Sequence, residues 1–234
     1  MKRQVLIPAL IFAISLSSGI SYGQSGVKEK RNVTGFSEVS FGVAGNLFIK
    51  FGPEYEVTIE GSKNYIDNII TELSGDNLKI KTDNWRVSMN EKVNVYITMP
   101  EIEGLGVSGS GKAEITDPLK AEDLELSVSG SGKINVAAID VKNLESTISG
   151  SGSINLSGNG IVGDAEISIS GSGVYQGEEV SIGTLEVAIS GSGKCYCNVE
   201  KSLEASISGS GNVVYAGAPR IDAHVSGSGH VRSR

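Results

Sequence analysis

The sequence predicts an all-β protein folded as a parallel β-helix, in which each coil of chain stacks on the one before it. The tetrapeptide Ser-Gly-Ser-Gly occurs seven times, at steps of 21, 20, 21, 20, 18 and 18 residues. The residue before every copy is Val or Ile, and alternating aliphatic residues flank each copy. A period near 20 residues is typical of coils that bury their apolar faces only against their neighbours.

The repeat length also predicts the shape of a coil. About 20 extended residues span roughly 66 Å, enough for three short strands and their corners, and successive coils stack about 4.8 Å apart. We therefore expect about seven coils of single-stranded helix. An antiparallel sandwich or barrel explains short alternating strands equally well. It does not explain why one residue type recurs at the same phase seven times, so we favour the β-helix.

The first 23 residues have the features of a signal peptide. Lys2 and Arg3 precede an apolar run at residues 5–16, and small residues flank a cleavage point before Gln24. The run has 12 residues and contains Pro8, whereas a membrane span needs about 20. We therefore expect an exported protein, in the periplasm, on the outer surface or secreted, with no membrane span in the mature chain.

The remaining chain divides into three segments. Residues 24–33 are polar, and we expect them to be disordered. Residues 34–103 lack the repeat but alternate like strands, with a short helix predicted at residues 64–71, and we interpret them as a cap on the first coil. Residues 104–234 carry the repeat, and residues 34–234 together are predicted to form one continuous domain.

The charge of the mature chain excludes some partners. Without Lys2 and Arg3 the 20 basic residues fall to 18, against 27 acidic residues, which gives a net charge of −9. This charge argues against nucleic acid and against an anionic membrane surface.

Alternation continues through each motif. If the chain stays extended, both glycines of a motif point inward with the aliphatic residues and both serines point outward. Glycine inside a strand costs stability, and three explanations for it remain open: a bend between two faces, close packing of two walls, or a cavity for a ligand. The first two are favoured.

The two cysteines, Cys195 and Cys197, allow three interpretations. Export permits a disulfide, but residues i and i+2 of a strand lie about 6.5–7 Å apart, at the limit for a bridge. Two thiolates are a weak signal for a metal site. The alternation places both side chains inside, which favours core fillers.

Candidate catalytic groups are scattered. The densest acidic stretch contains Glu114, Asp117, Glu122, Asp123 and Glu125, but it spans a corner and a strand. We interpret it as a solvated surface.

A Ser-His-Asp triad needs a nucleophile set apart from its neighbours, and every motif serine has near-copies in adjacent coils. Asp222, His224 and Ser226 lie close in sequence but would share one outer strand without a pocket. We predict no enzyme activity, no cofactor and no metal.

The sequence resembles a known exported family. The segments that carry the likeness are Gly35-Phe36, Leu47-Phe48-Ile49, residues 57–61 and residues 95–100, followed by the Ser-Gly-Ser-Gly repeats. They are similar to the auto-transporter adhesins with a head GIN domain, over nearly all of the mature chain. The resemblance implies a right-handed parallel β-helix and a surface or periplasmic location.

We therefore expect a non-enzymatic adhesin or envelope scaffold that binds glycan or protein through a repetitive outer face. The alternatives are a polysaccharide-active enzyme, and a small-molecule or lipid carrier whose inner wall includes Tyr175 and Tyr215. The exposed C-terminal coil is expected to allow a homo-oligomer. The predicted binding residues are the motif serines: Ser108, Ser110, Ser129, Ser131, Ser149, Ser151, Ser170, Ser172, Ser190, Ser192, Ser208, Ser210, Ser226 and Ser228.

Overall fold

The computed structural model is a parallel β-helix of about six turns, as the repeat predicts. It describes residues 26–82 and 93–234, so the predicted signal peptide lies outside the described residues. Among the residues described, no helix has the length and apolar character needed to cross a membrane. The parallel pairing of successive repeats excludes the antiparallel sandwich or barrel.

Nineteen strands and one helix are present in the described residues. The N-terminal elements are β1 (Val27–Arg31), β2 (Glu38–Gly42), β3 (Gly45–Phe51), β4 (Glu56–Gly61), α1 (Lys63–Ile66), β5 (Ile69–Ser74), β6 (Asn77–Thr82) and β7 (Val93–Met99). The first repeats form β8 (Gly104–Gly109), β9 (Lys112–Ile115), β10 (Leu119–Gly130), β11 (Lys133–Val136), β12 (Ile139–Gly150) and β13 (Ser153–Leu156). The later repeats form β14 (Ile161–Gly171), β15 (Val174–Gly191), β16 (Lys194–Gly209), β17 (Asn212–Ala216), β18 (Arg220–Gly227) and β19 (His230–Ser233).

Each repeat coil has three sides. In one coil, β11 forms the second side, residues 139–141 form the third side, and residues 143–150 form the side that leads into the motif, here called the motif side. Buried residues alternate within a side and change phase at 137–138 and at 142–143. These phase changes are corners, and the motif supplies the third corner.

The motif sides stack in register. Parallel pairing joins β8, β10, β12, β14, β15, β16 and β18, so that each residue faces its equivalent in the next coil. The branched residue before each motif forms an inward column, buried in every coil except at Val225 in the last. The column contains Val107, Val128, Ile148, Ile169, Ile189, Ile207 and Val225.

The first glycine of each motif makes the corner. Its φ is positive in all seven copies, from +79° at Gly109 to +127° at Gly227, a region that favours glycine. A Cβ on Gly150 would lie 2.6 Å from the carbonyl oxygen of Gly130 in the preceding coil. That carbonyl accepts a 2.8 Å hydrogen bond from the Ser151 amide. The expectation that this glycine points into the core is therefore wrong, because the strand bends at this residue.

The second glycine of each motif lets two layers approach. It is buried in six of the seven copies and half-buried at Gly229. A Cβ on Gly152 would lie 2.4 Å from Cγ1 of Val128, and one on Gly193 would lie 2.5 Å from Cγ2 of Ile169. Of the three explanations, the bend therefore applies to the first glycine and close packing to the second. The space beside the second glycine holds a methyl group rather than a ligand.

The N-terminal region adds coils of its own before it caps the helix. The β2–β3 coil pairs in parallel with β8 and β9 on one side and with β6 and β7 on the other. The direction of pairing then reverses: β5 pairs antiparallel with β6, β4 with β7, and β1 with β4. The alternating aliphatic residues predicted to form strands here are buried in strands.

Two predictions for this region need correction. Residues 24–33 were expected to be disordered, but Val27–Arg31 form β1, held by antiparallel pairing and by ion pairs such as that of Lys30 with Glu56. The helix expected at residues 64–71 is the single turn of α1, and Ile69–Ser74 form a strand instead. Pairing with β6 outweighs the local helical pattern of isoleucines.

Replacing the second glycine of a central motif tests the packing of the corner. We expect Gly152→Ala to lower the free energy of unfolding by about 1–3 kcal/mol, because the new methyl overlaps Val128. Ser151→Ala, an exposed neighbour in the same motif, serves as the control and should stay within about 0.5 kcal/mol of the parent. Urea unfolding followed by circular dichroism measures both. Equal midpoints for the two variants would contradict this account of the motif.

Candidate functional site

The outward surface of the motif side carries a column of carboxylates, here called the acid column. Parallel register places these residues directly above one another in six successive coils, and all are exposed. The column contains Glu125, Glu145, Glu166, Glu186, Glu204 and Asp222. Neighbouring coils are about 4.8 Å apart, and like charges at about 4 Å repel by about 1 kcal/mol even in water. A partner with cationic or hydrogen-bond-donating groups would relieve this repulsion.

The sequence contained a signal for the acid column that the sequence analysis missed. An acidic residue stands four positions before each of the last six motifs, whereas Gly104 takes that position before the first. Taken one at a time in the sequence, these acidic residues look like isolated surface charges, and only their common spacing from the motif reveals the column.

The predicted serine residues lie on the motif side or at its corner, and all fourteen are exposed. The first serine of each motif continues the motif side in register, as Ser129 does with Ser149 and Ser149 with Ser170. The second serine lies at the corner, where its backbone amide donates a hydrogen bond to the carbonyl of the first motif glycine in the preceding coil. Within the described residues, no motif hydroxyl makes a hydrogen bond, so these groups are available to a partner.

A third column, also missed, lies between the serines and the acids. It has hydroxyl side chains in four coils, at Ser127, Thr147, Ser168 and Ser206, with Ala188 in another. All of these residues except Ser127 line a shallow depression of about 340 Å³ on the motif side, together with the first serines of four central motifs, Ser149, Ser170, Ser190 and Ser208. The outer surface of this side is therefore a regular lattice of small hydroxyl groups with a carboxylate border.

A longer groove runs along that border. It has a volume of about 570 Å³, and carboxylates of successive coils line it together with Leu124 and Leu144. Asp123 is part of its wall, and its Oδ1 accepts a 2.7 Å hydrogen bond from Nδ2 of Asn143. The groove is open to solvent, and its oxygen atoms suit hydroxyl, amide or ammonium donors.

The acidic stretch singled out from the sequence is not gathered into one site. Asp123 and Glu125 line the groove. Glu114 pairs with Lys112, Glu122 pairs with Lys142 at 2.9 Å, and Asp117 accepts a hydrogen bond from the Phe51 amide. Within residues 26–82 and 93–234, no group of three or more His, Cys, Asp or Glu side chains is placed to hold a metal ion.

The Asp222, His224 and Ser226 combination does not form a triad. All three lie on the outward side of β18 and are exposed. Within the described residues, no hydrogen bond joins these three side chains, and each is open to solvent.

The interior near the cysteines is filled. Tyr175 is fully buried, and its Cε1 would lie 2.7 Å from a Cβ on Gly177, so the ring occupies the space beside that glycine. Cys195 and Cys197 are free thiols, both buried, which supports their interpretation as core fillers. A hydrogen bond with Cys197, together with burial, raises the pKa of the Cys195 thiol well above its usual range. Tyr215, the other suggested inner-wall residue, is half-buried.

The burial of the two thiols predicts that they are alkylated slowly. In the native protein, iodoacetamide should alkylate Cys195 and Cys197 at least about 100-fold more slowly than in urea, because reaction needs opening of the core. The Lys194→Cys variant adds an exposed thiol to the same strand and should react at once. Mass spectrometry of timed samples follows each site. Native thiols that react as fast as the introduced one would contradict the filled interior.

The chain matches a known protein family over most of its length. Residues 35–219 match the family model described as "Putative auto-transporter adhesin, head GIN domain". This chain belongs to that family. The match confirms the resemblance recognised from the repeats and the lead-in strands.

Solved structures similar to this head GIN chain share its fold. A putative adhesin from Bacteroides fragilis has a TM-score of 0.84 at 21% identity, covering 90% of this chain and 98% of that one. A putative lipid binding protein from Parabacteroides distasonis has a TM-score of 0.71 at 21% identity, covering 91% and 98%. A putative adhesin from Parabacteroides merdae has a TM-score of 0.70 at 21% identity, covering 91% and 97%. At this identity the likeness concerns the fold alone, and the comparison with curated proteins gives no match.

Proposed function

We propose that this head GIN protein is an exported, non-enzymatic adhesin or envelope scaffold that binds an extended glycan or protein along its motif side. The observation that carries the proposal is the in-register repetition of three outward columns: the motif serines, the middle hydroxyl column and the acid column. The same set of groups recurs about every 4.8 Å along the helix axis. Such a surface suits a partner that is itself a repeating or extended chain.

Repetition turns weak contacts into useful affinity. A single exposed serine offers one donor and two acceptor sites and binds little on its own. A partner held at one coil meets the next coil at high effective concentration, and linked sites can gain about 10²–10⁴ in affinity without any new type of contact.

The charge of the surface selects the chemistry of the partner. The acid column and a mature net charge of −9 disfavour polyanions such as acidic polysaccharides or nucleic acid. Neutral glycans, and polymers that carry ammonium or amide donors, are compatible with carboxylate acceptors. We therefore place neutral or cationic chains first among the glycan and protein partners.

Three observations support an exported, envelope-associated role. The first 23 residues have the pattern of a signal peptide. The family description is that of an adhesin, and the outward columns lie on an exposed surface of a β-helix.

The two other functions have less support. One structural relative is called a putative lipid binding protein, but in this chain branched methyl groups occupy the space beside the second motif glycine, where a ligand cavity was the less favoured alternative. A polysaccharide-active enzyme needs a distinctive acid–base cluster, and the carboxylates of the motif side are near-copies of one another.

The binding surface can be tested with paired charge insertions. The mature protein is applied to an array of neutral, cationic and anionic glycans, to matrix proteins and to envelope fragments. Ser149→Arg/Ser190→Arg should weaken any binding by at least about tenfold, because two bulky side chains interrupt the lattice. The control Ser74→Arg/Ser157→Arg makes the same change at exposed serines away from the motif side and should bind like the parent. Absence of binding to every surface, or equal loss in both variants, would contradict the proposal.

A further inference from the structure

The last coil leaves a piece of hydrophobic core uncovered. Ile221 and Val225 on β18 continue the inward columns but are 42% and 39% exposed. Their equivalents one coil earlier, Leu203 and Ile207, are each 1% exposed. In the described structure β18 pairs with β16 on one edge only, so its other edge presents backbone donors and acceptors to solvent. Such an edge is a template for another strand.

The opposite end of the helix is protected. There the coils are followed by the antiparallel strands β4 and β5, and the outermost strand β1 carries Lys28 and Lys30, each in an ion pair with a glutamate of β4. Charged side chains on an edge strand oppose further pairing. The uncovered end therefore matches another copy of itself better than it matches the capped end, which favours a closed twofold pair over an open filament.

We propose that two copies of this protein associate end to end through antiparallel pairing of their β18 strands, with Ala223 of one copy opposite Ala223 of the other. A twofold axis makes the pairing antiparallel. Inward residues must face inward residues for the two cores to join. The axis must therefore lie where one residue faces its own copy in the other chain, rather than where two neighbouring residues face each other. The axis is named below by that residue.

Charge then selects the register. With the axis at Ala223, Ile221 faces Val225 of the second copy and Asp222 faces its His224, twice over. With the axis at Asp222, two carboxylates face each other, and Arg220 faces His224. With the axis at His224, two imidazoles face each other, and Ile221 faces Gly227. Of these three registers, only the first pairs the larger apolar residues with each other and an acid with a base.

The spiral of the coil is compatible with this contact. The twofold axis lies perpendicular to the motif side, so it places the second side of one copy against the third side of the other. On the second side, the helix ends with β19, which follows β18 in the chain. On the third side, the helix ends with the stretch that precedes β18. The second side of one copy, which extends further along the helix axis, therefore meets the third side of the other copy, which ends earlier.

The pairing has a consequence for binding. Rotation about this axis leaves the outward direction of the motif side unchanged, so the two motif sides form one continuous face of twice the length. This consequence rests on the proposed function, whereas the association itself does not.

Two cysteine variants test the register. Ala223→Cys should form a disulfide-linked dimer under mild oxidation, because directly opposite residues have Cβ atoms about 4.5–5.5 Å apart. Val225→Cys is the matched control, since the two copies of residue 225 would be four positions apart along the paired strands, or about 13 Å. The native thiols are buried and common to both variants. A non-reducing gel reads the result, and cross-linking of Val225→Cys in place of Ala223→Cys would overturn the register.

A charge exchange tests the contact without new thiols. The mature parent should be a dimer by light scattering after size exclusion. His224→Asp should be a monomer, because Asp222 would then face an acid. Asp222→Arg/His224→Asp should restore the dimer, and His230→Asp, the same change on β19, should remain dimeric. A parent that is monomeric at its highest soluble concentration overturns the proposal whether or not the motif side binds glycan. A dimer whose mass does not respond to His224→Asp also overturns it.

Discussion

The structure depends on one constraint: every coil must turn the same corner directly above the corner of its neighbour. At that corner the carbonyl of one coil accepts a hydrogen bond from an amide of the next coil, as the Gly130 carbonyl does from the Ser151 amide. The carbonyl oxygen therefore occupies the position that a Cβ of Gly150 would need. A positive φ and the lack of room for a side chain act together, and only glycine satisfies both. The second glycine, Gly152, admits the methyl of Val128 from the coil before.

The proposed binding surface follows from this constraint. Because each corner fixes the register of the next strand, a residue type that recurs in sequence becomes a column in space. Inside, the columns are branched aliphatic side chains that join coils into one core. Outside, the same register aligns exposed hydroxyls and carboxylates. Near-identical coils favour a long binding face over a single catalytic centre.

The sequence was sufficient for the architecture because the same phase recurs seven times, and the Val or Ile before each motif favours a stacked inward column over an antiparallel sandwich or barrel. It was insufficient at the first glycine, since simple alternation cannot show a change of backbone direction. It missed the acid column, because register matters there and individual residues such as Glu145 look ordinary. It also misjudged Val27–Arg31, which form a strand because they pair with the distant strand β4.

A crystal structure of the mature protein would test the central claim most directly, through the backbone of the seven motifs. We expect a positive φ at the first glycine of every motif and a branched methyl of the preceding coil packed against the second glycine. A chain that runs extended through the motifs, with both glycines facing the core or with a ligand between them and the aliphatic column, would contradict the account.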